Sequence, residues 1–351
     1  MENIWIYSLI IILFTVSIVL MRIILPPLIK KLKGKGKIGI DMHKLDKPEV
    51  AEMGGISILI VACVTALIPL IICDNFFVKI QMIVFISVIG LVGLVGIIDD
   101  LFQLGAKIKP IIVTGASLPL IIANLIWYNQ IFNTDPNFPL IGSGFRITII
   151  YWLLVPVALT MAANAVNMID VVNGSMSGPC IVIFGTLLIC SLLKPEMDQY
   201  TITGAFLSAI MLGIMIIFYK YNRFPARVFS GDVGAFSIGG ALALIGIMGS
   251  LEVVTVVVAI PLIINAFQML SSVRGFVEGR KLKERPSIVK SDGTIVASAK
   301  IKAPITLMRI VLAKGPKKEP EISRQFMVLT LFCAILAIIT LILTDYINLL
   351  P

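Results

Sequence analysis

Ten stretches of the sequence are long and apolar enough to cross a lipid bilayer, and this feature limits the fold more than any other. Each falls within the roughly 17 to 25 residues that a helix needs to span hydrocarbon. They lie at 4–25, 54–73, 79–98, 109–128, 147–168, 175–193, 199–219, 233–250, 252–272 and 326–345. Because lipid offers the backbone no hydrogen-bond partners, each run must be helical. The sequence predicts an all-α polytopic membrane protein, one domain over 1–351, with about ten transmembrane helices.

Composition supports a membrane protein and narrows its chemistry. Hydrophobic residues make up 58% of the 351 residues and charged residues 14%, whereas soluble domains carry about 25% charged residues. The single histidine, His43, excludes a histidine pair or a histidine metal cage. The five cysteines lie in apolar runs without metal-site spacing. The first run lacks a basic leader and a small-residue cleavage site, so we expect it to be retained as a helix.

The distribution of positive charge predicts the orientation. The first, third, fifth, seventh and ninth connections hold 26 of the 29 lysines and arginines. Cytoplasmic loops collect positive charge, so these loops are expected in the cytosol and both termini outside the cell membrane. Such a basic face is mainly a topology signal, and it attracts membrane lipid and anionic substrates. We expect no nucleic-acid partner.

Two connections are long enough to fold by themselves. The outer segment 127–147 is predicted to form a short extracytoplasmic hairpin. The cytosolic insertion 273–325 has a turn at 291–294 between two β-branched runs, 287–289 and 294–297. This pattern predicts a small β-rich insertion before the last helix.

Acidic and amide residues gather at the ends of three apolar runs. The predicted orientation places all of them at the cytosolic surface, although only lysine and arginine were used to infer that orientation. Ionisable residues at membrane level are costly and are therefore functional candidates. The set consists of Asp99, Asp100, Asn164, Asn167, Asp170, Asn173 and Asp232.

Each candidate has a functional and a purely structural interpretation. The adjacent Asp99 and Asp100 repel each other unless a cation or a proton-transfer task is nearby; otherwise they are a solvated helix end. Lys109 offers a charge to a phosphate, or it is a topology determinant that reaches toward the membrane surface.

The fifth and eighth runs suggest a metal site. Asn164 and Asn167 share one helix face, and amide oxygens with the Asp232 carboxylate suit Mg²⁺, which prefers oxygen ligands. Alternatively, the asparagines form bonds between helices and Asp232 caps a helix.

Four motifs, in this order and placement, resemble the polyprenyl-phosphate N-acetylhexosamine-1-phosphate transferases. They are residues 41–55 with Glu52, residues 98–100 with Lys109, residues 164–174, and residues 229–232. The likeness covers nearly the whole chain and is closest to the archaeal and eukaryotic enzymes that act on UDP-GlcNAc and dolichyl phosphate. Asparagine at position 173 is similar to the dolichol branch, whereas aspartate at position 170 is similar to the bacterial members.

The resemblance implies roles for the matching positions. The metal ligands of Mg²⁺, or of Mn²⁺, would be Asn167 and Asp232, and the catalytic pair would be Asp99 and Asp100. Lys109 would contact the diphosphate, and Glu52, Asn173 and Phe229 would form the uridine pocket. The substrate-binding set as a whole would be Glu52, Lys109, Asn164, Asn173, Phe229, Arg280, Lys283 and Arg285.

The last cytosolic loop departs from the family pattern. Residues 280–286 contain no histidine, whereas MurNAc-pentapeptide transferases carry a histidine-rich motif there and the eukaryotic enzymes an Arg-His-Arg motif. This argues against a MurNAc-pentapeptide donor. Cationic contact with the donor would then come from Arg280, Lys283 or Arg285.

The function implied by the resemblance is transfer of GlcNAc-1-phosphate from UDP-GlcNAc to dolichyl or another polyprenyl phosphate, with release of UMP. This reaction would initiate lipid-linked oligosaccharide synthesis for protein glycosylation. Two alternatives stay open: another UDP-N-acetylhexosamine or MurNAc-type transferase for cell-wall precursors, and a membrane transporter. A different membrane transferase, such as a prenyltransferase, would place its aspartates in other spacings, for example several within one short helix, which this sequence lacks. A homodimer is also possible.

Overall fold

The computed structural model describes residues 2–135, 148–275 and 284–345. Helices dominate these ranges, and the strands are short. The helices are α1 (Glu2–Gly34), α2 (Gly55–Ile72), α3 (Phe76–Phe102), α4 (Ile108–Gly115), α5 (Leu118–Ile126), α6 (Thr148–Ile169), α7 (Ser177–Leu193), α8 (Gln199–Asn222), α9 (Gly231–Met248), α10 (Glu252–Val258), α11 (Ile260–Val273), α12 (Leu307–Leu312) and α13 (Glu319–Asp345). The strands are β1 (Ile38–Ile40), β2 (Glu49–Ala51), β3 (Ser287–Val289) and β4 (Ile295–Ala297).

The predicted polytopic helical architecture is confirmed. Within the described ranges, eight segments are long and apolar enough to cross a membrane, with α4 and α5 counted together. A ninth consists of α10 and α11, which meet at a bend of 67°. The remaining predicted run is α7, an apolar helix of 17 residues. All ten predicted runs are thus helical.

Helix ends differ from the predicted ends of the apolar runs. α1 continues to residue 34 rather than 25, and α3 to 102 rather than 98. The added residues include the lysines of the last turn of α1 and the aspartates of α3. Hydropathy marks the part of a helix that lies in lipid, whereas helical hydrogen bonding continues into the polar region.

Helix α9 is the centre of the bundle, because small residues let its neighbours approach its backbone. In α8 and α9, 89% of the apolar window is buried, against 33% in α1, α6 and α13. A Cβ at Gly55 would lie 2.1 Å from Gly234 Cα, and one at Gly96 would lie 2.4 Å from Val233 Cα. Such close packing is typical of membrane helices with small interface residues. It fixes the ends of α2 and α3 beside the start of α9.

Two antiparallel hairpins lie in the connections. β3 pairs with β4, which confirms the predicted β-rich insertion. β1 pairs with β2 between α1 and α2. This hairpin was not predicted, because residues 41–48 between its strands lack the Asp-Gly turn that marks the β3–β4 hairpin. Ala51 of β2 also forms a parallel bridge with Val228. The first hairpin is therefore joined to the segment that leads into α9.

The insertion is organised around one arginine. Arg309 of α12 donates from its guanidinium to the carbonyl oxygens of Ser298 at 3.1 Å and Lys300 at 3.0 Å, and it also contacts the Ala303 carbonyl. Five donors in a fixed planar fork suit such a set of carbonyls. An irregular loop thereby becomes a defined wall beside the helix ends.

The predicted outer hairpin lies largely outside the described residues. Residues 136–147 are not described. Residues 127–135 form turns and bends, and Asn124 Oδ1 accepts from the backbone N–H groups of Ile131 at 3.2 Å and Phe132 at 3.1 Å.

Candidate active site

A cavity of about 1000 Å³ lies where α3, α4, α6 and α9 meet the two hairpin-bearing connections. Every predicted site residue that the structure describes lines it. Arg280 and Lys283 lie outside the described residues. The lining residues from the predicted set are Glu52, Asp99, Asp100, Lys109, Asn164, Asn167, Asn173, Phe229, Asp232 and Arg285. The structure therefore brings together residues from five separate stretches of chain.

Lys109 joins two carboxylates from different helices. Its ammonium forms an ion pair with Asp99 of α3 and lies 3.3 Å from Asp232 Oδ2 of α9. Asn167 of α6 donates from Nδ2 to Asp232 Oδ1 at 2.7 Å. The Asp99 side chain is buried, and Leu104 N donates to its Oδ1 at 2.7 Å. Asp99 is thus part of a charge network rather than a solvated helix end.

Asp100 caps the start of α9. Its Oδ1 accepts from Asp232 N at 2.8 Å and its Oδ2 accepts from Val233 N at 3.0 Å. A carboxylate at a helix N-terminus satisfies exposed N–H groups and complements the helix dipole. The alternative that made Asp232 the cap is wrong, because Asp232 lies inside the first turn of α9. A catalytic role for the Asp99 and Asp100 pair stays a prediction.

The position of the cap depends on Gly231. This glycine has a φ of 68°, a conformation that glycine adopts without steric cost. A Cβ there would lie 2.6 Å from Asp100 Oδ2. The first residue of α9 must therefore be glycine, both for its conformation and for its contact with Asp100.

Phe229 is held at the cavity edge by backbone hydrogen bonds. Phe229 N donates to Ala51 O at 2.8 Å, and Gly54 N donates to Phe229 O at 2.9 Å. Its ring packs over β1, since a Cβ at Gly39 would lie 3.1 Å from Phe229 Cδ2. Glu52 follows β2 directly and lines the same cavity. This arrangement offers an aromatic surface and a carboxylate side by side.

Asn173 is held by two acidic residues that lie far from it in sequence. Its Nδ2 donates to Asp41 Oδ2 at 3.0 Å, and its backbone N donates to Glu319 Oε1 at 2.6 Å. Asp41 also pairs with Lys44. Sequence reasoning assigned no role to these partners. Asp41 opened one of the quoted motifs, but Glu319 begins α13 and carried no signal.

Two titratable groups at the cavity were also missed or left unassigned. His43 lines the cavity, and burial lowers the pKa of its imidazole, so that the neutral form is favoured. Burial raises the pKa of Asp170 to about 6, although Ser230 Oγ donates to its Oδ2 at 2.5 Å. Asp170 directly follows α6. Its bond with Ser230 links the end of α6 to the segment before α9.

The other predicted residues lie on the cavity wall. Asn164 donates from Nδ2 to Thr160 O at 2.8 Å within its own helix, rather than to a neighbouring helix. Arg285 is exposed on the insertion, near Lys300, whose Nζ lies 2.6 Å from Glu284 Oε2. The insertion therefore contributes positive charge to one side of the cavity.

The residues present fit a magnesium ion with few protein ligands. In the described part of the chain, no cluster of three or more His, Cys, Asp or Glu side chains is arranged to hold a metal. Asp232 and Asn167 offer carboxylate and amide oxygens, and Asp232 Oδ2 already faces a cation, the Lys109 ammonium. Mg²⁺ is usually bound through one or two carboxylates together with substrate phosphates.

Comparison with known proteins supports the resemblance. A model of glycosyl transferase family 4 matches residues 82–250, which include most of α3 and all of α4 to α9. A Methanocaldococcus jannaschii protein provisionally named a glycosyltransferase is 26% identical over 96% of each chain. A Saccharolobus solfataricus protein is 26% identical over 84% of this chain and 85% of its own. Its provisional name is UDP-N-acetylglucosamine–dolichyl-phosphate N-acetylglucosaminephosphotransferase.

A bacterial relative is similarly distant. The Bacillus subtilis phospho-N-acetylmuramoyl-pentapeptide-transferase is 28% identical over 76% of this chain and 84% of its own. The matches therefore reach both branches that the motifs suggested. Together they confirm the resemblance, and the chain is a multi-pass membrane enzyme, a phosphate-transferring glycosyltransferase related to glycosyl transferase family 4.

Proposed function

We propose that this enzyme transfers N-acetylglucosamine-1-phosphate from UDP-GlcNAc to dolichyl or another polyprenyl phosphate and releases UMP. One observation carries the proposal: Lys109 lies between Asp99 and Asp232 in the cavity that also holds Phe229 and Asn173. The Lys109 ammonium suits the anionic diphosphate of a nucleotide, and the Phe229 ring and Asn173 amide suit its flat base. The archaeal relative's provisional name supports this donor and acceptor.

The reaction needs a cation where two anions meet. An oxygen of the lipid phosphate attacks the β-phosphorus of the donor, and the bond to the oxygen that bridges to the α-phosphorus breaks, so that UMP leaves. Lys109 offsets the charge of the phosphates, and Asp99 holds its ammonium in place. Asp232 and Asn167 would hold Mg²⁺, whose charge neutralises developing negative charge during phosphoryl transfer.

A strong base is not required for this attack. A phosphate monoester with a second pKa of about 6 is largely dianionic at neutral pH. Asp100 has both oxygens committed to backbone N–H groups of α9, so we assign it to positioning Asp232. Of the two aspartates, Asp99 is the one that contacts the Lys109 ammonium.

We further propose that the cavity faces the cytosol, with both termini outside. The support is the excess of lysine and arginine in the connections that carry β1, β2, β3 and β4. A cavity at helix ends lets a water-soluble donor and a membrane-bound acceptor meet. The same reaction then serves as the first step of lipid-linked oligosaccharide synthesis.

The test is a donor panel with two acceptors. Purified enzyme is supplied with Mg²⁺ and with UDP-GlcNAc, UDP-GalNAc or UDP-MurNAc-pentapeptide, and each is paired with dolichyl or undecaprenyl phosphate. We expect UMP release and a lipid diphosphate sugar with UDP-GlcNAc, and a faster rate with dolichyl phosphate. Turnover restricted to UDP-MurNAc-pentapeptide would instead favour the cell-wall function of the Bacillus relative.

A further inference from the structure

Asp41 lies in the connection between β1 and β2, and its carboxylate is almost completely enclosed. Its side chain is 3% exposed. Oδ1 accepts from His43 N at 3.3 Å, while Oδ2 pairs with Lys44 and accepts from Asn173 Nδ2 at 3.0 Å. Burying a carboxylate is costly unless it is paired and hydrogen-bonded. Asp41 meets this condition through its contacts with His43, Lys44 and Asn173.

The bond to Asp41 fixes which end of the Asn173 amide faces the cavity. An ionised carboxylate has only acceptors, so Asn173 must turn its NH₂ group toward it. Asn173 lines the cavity, and its Oδ1 is the atom left to meet a ligand. The backbone is fixed as well, since Asn173 N donates to Glu319 Oε1 at 2.6 Å. The amide therefore presents an acceptor in a defined direction.

We propose that Asp41 is a positioning residue that sets the base specificity of the donor site. The inference rests on the proposed function, in which the cavity takes a uridine nucleotide. Uracil has an N–H donor at N3, whereas cytosine has an acceptor there. An Asn173 Oδ1 held toward N3 accepts from uracil and repels cytosine. Without Asp41 the amide rotates and offers either group, so the discrimination is lost.

The test measures binding of UMP and CMP to the full-length purified protein by calorimetry. One hydrogen bond in a buried site distinguishes ligands by roughly 10- to 100-fold, and we expect the wild type to prefer UMP by that factor. Asp41→Ala should bring the two dissociation constants within about threefold of each other, mainly by weakening UMP binding. In turnover assays, the same variant should raise KM for UDP-GlcNAc more than it lowers kcat.

Two further variants separate positioning from folding and charge. Asp41→Asn keeps the shape but can donate as well as accept, so it should also lose base preference even if Asp41→Ala does not fold. Lys44→Gln removes the ion pair but leaves the Asp41 acceptor, and Lys44 does not line the cavity. We expect Lys44→Gln to retain the wild-type preference for UMP.

The outcomes also distinguish this inference from the proposed function. If the wild type releases UMP and selects UMP, but both Asp41 variants keep its selectivity, Asp41 does not position the amide. Equal loss of selectivity in Lys44→Gln would assign the effect to charge and overturn the inference. A wild type that neither binds UMP nor uses UDP-GlcNAc would overturn the proposed function together with it.

Discussion

At the scale of single residues, the site is a set of polar groups that are each held by another polar group. Lys109 contacts Asp99 and Asp232, and Asn167 contacts Asp232. Each contact joins different helices, so the arrangement is rigid before any ligand enters. Such preorganised charge is the main source of rate in phosphoryl transfer.

Asp232→Ala should abolish turnover while the protein stays folded. The change removes the carboxylate that Lys109 and Asn167 share and that would hold Mg²⁺. The expected loss is roughly 100-fold or more in kcat, the scale of a lost charge-stabilising group. UMP release and thermal unfolding are measured in parallel. Asp292→Ala, which removes an exposed aspartate of the insertion turn, is the matched control, and near-wild-type turnover by Asp232→Ala would remove Asp232 from the metal site.

Phe229→Ala should raise KM for the UDP-sugar more than it lowers kcat. The ring lies at the cavity edge against β1, where it can stack on a flat base. Loss of binding without loss of transition-state stabilisation appears in KM. Steady-state kinetics with varied UDP-GlcNAc check this, and Phe229→Tyr, which keeps the ring, should remain close to wild type. An unchanged KM in Phe229→Ala would argue against stacking.

At the scale of elements, α9 connects the core of the bundle to the site. Gly55 of α2 and Gly96 of α3 let those helices reach its backbone, and its first turn carries Asp232. The cap comes from Asp100 of α3 rather than from a neighbouring residue in sequence. A shift of α3 against α9 would therefore move Asp232, the proposed metal ligand, directly.

Asp100→Asn should retain much more activity than Asp100→Ala. The asparagine keeps one acceptor for the N–H groups of α9, whereas alanine keeps none, and loss of a cap costs about 0.5–2 kcal/mol. We expect a lower melting temperature and lower kcat in Asp100→Ala, with partial recovery of both in Asp100→Asn. If the two variants are equally inactive and equally stable, Asp100 acts as a base rather than as a cap.

At the scale of the whole molecule, the hairpin connections and the insertion enclose one end of the helix bundle. The insertion contributes Arg285 and Lys300 to the cavity wall, and its own shape depends on Arg309. The proposed nucleotide donor, being soluble, would need this end to face the compartment where the nucleotide is made. Under the proposed function, the orientation of the chain therefore decides whether the donor reaches the cavity.

Cysteine labelling should place this end in the cytosol. Ser291→Cys lies in the exposed turn between β3 and β4, and Glu196→Cys lies in the exposed connection between α7 and α8. A membrane-impermeant maleimide should label Glu196→Cys in intact cells and Ser291→Cys only after permeabilisation. The reverse pattern would invert the orientation and place the cavity outside. The native cysteines are buried or half-buried, which keeps background labelling low.

Much of the architecture and most of the site could be predicted from sequence. The ten apolar runs determined the helices, and the turn at 291–294 determined the β3–β4 hairpin. The predicted site residues that the structure describes all line one cavity. The helices and the hairpin could be predicted because hydropathy and turn chemistry act over a few residues. The site residues could be predicted because acidic and amide side chains are unusual at membrane level.

Only the tertiary structure decided which side chain serves which partner. Sequence gave Asp232 a cap role that belongs to Asp100, and it gave no signal that Asp41 and Glu319 hold Asn173. These contacts join residues more than 100 positions apart. Their geometry follows from how closely the helices pack, and no short stretch of sequence carries that information.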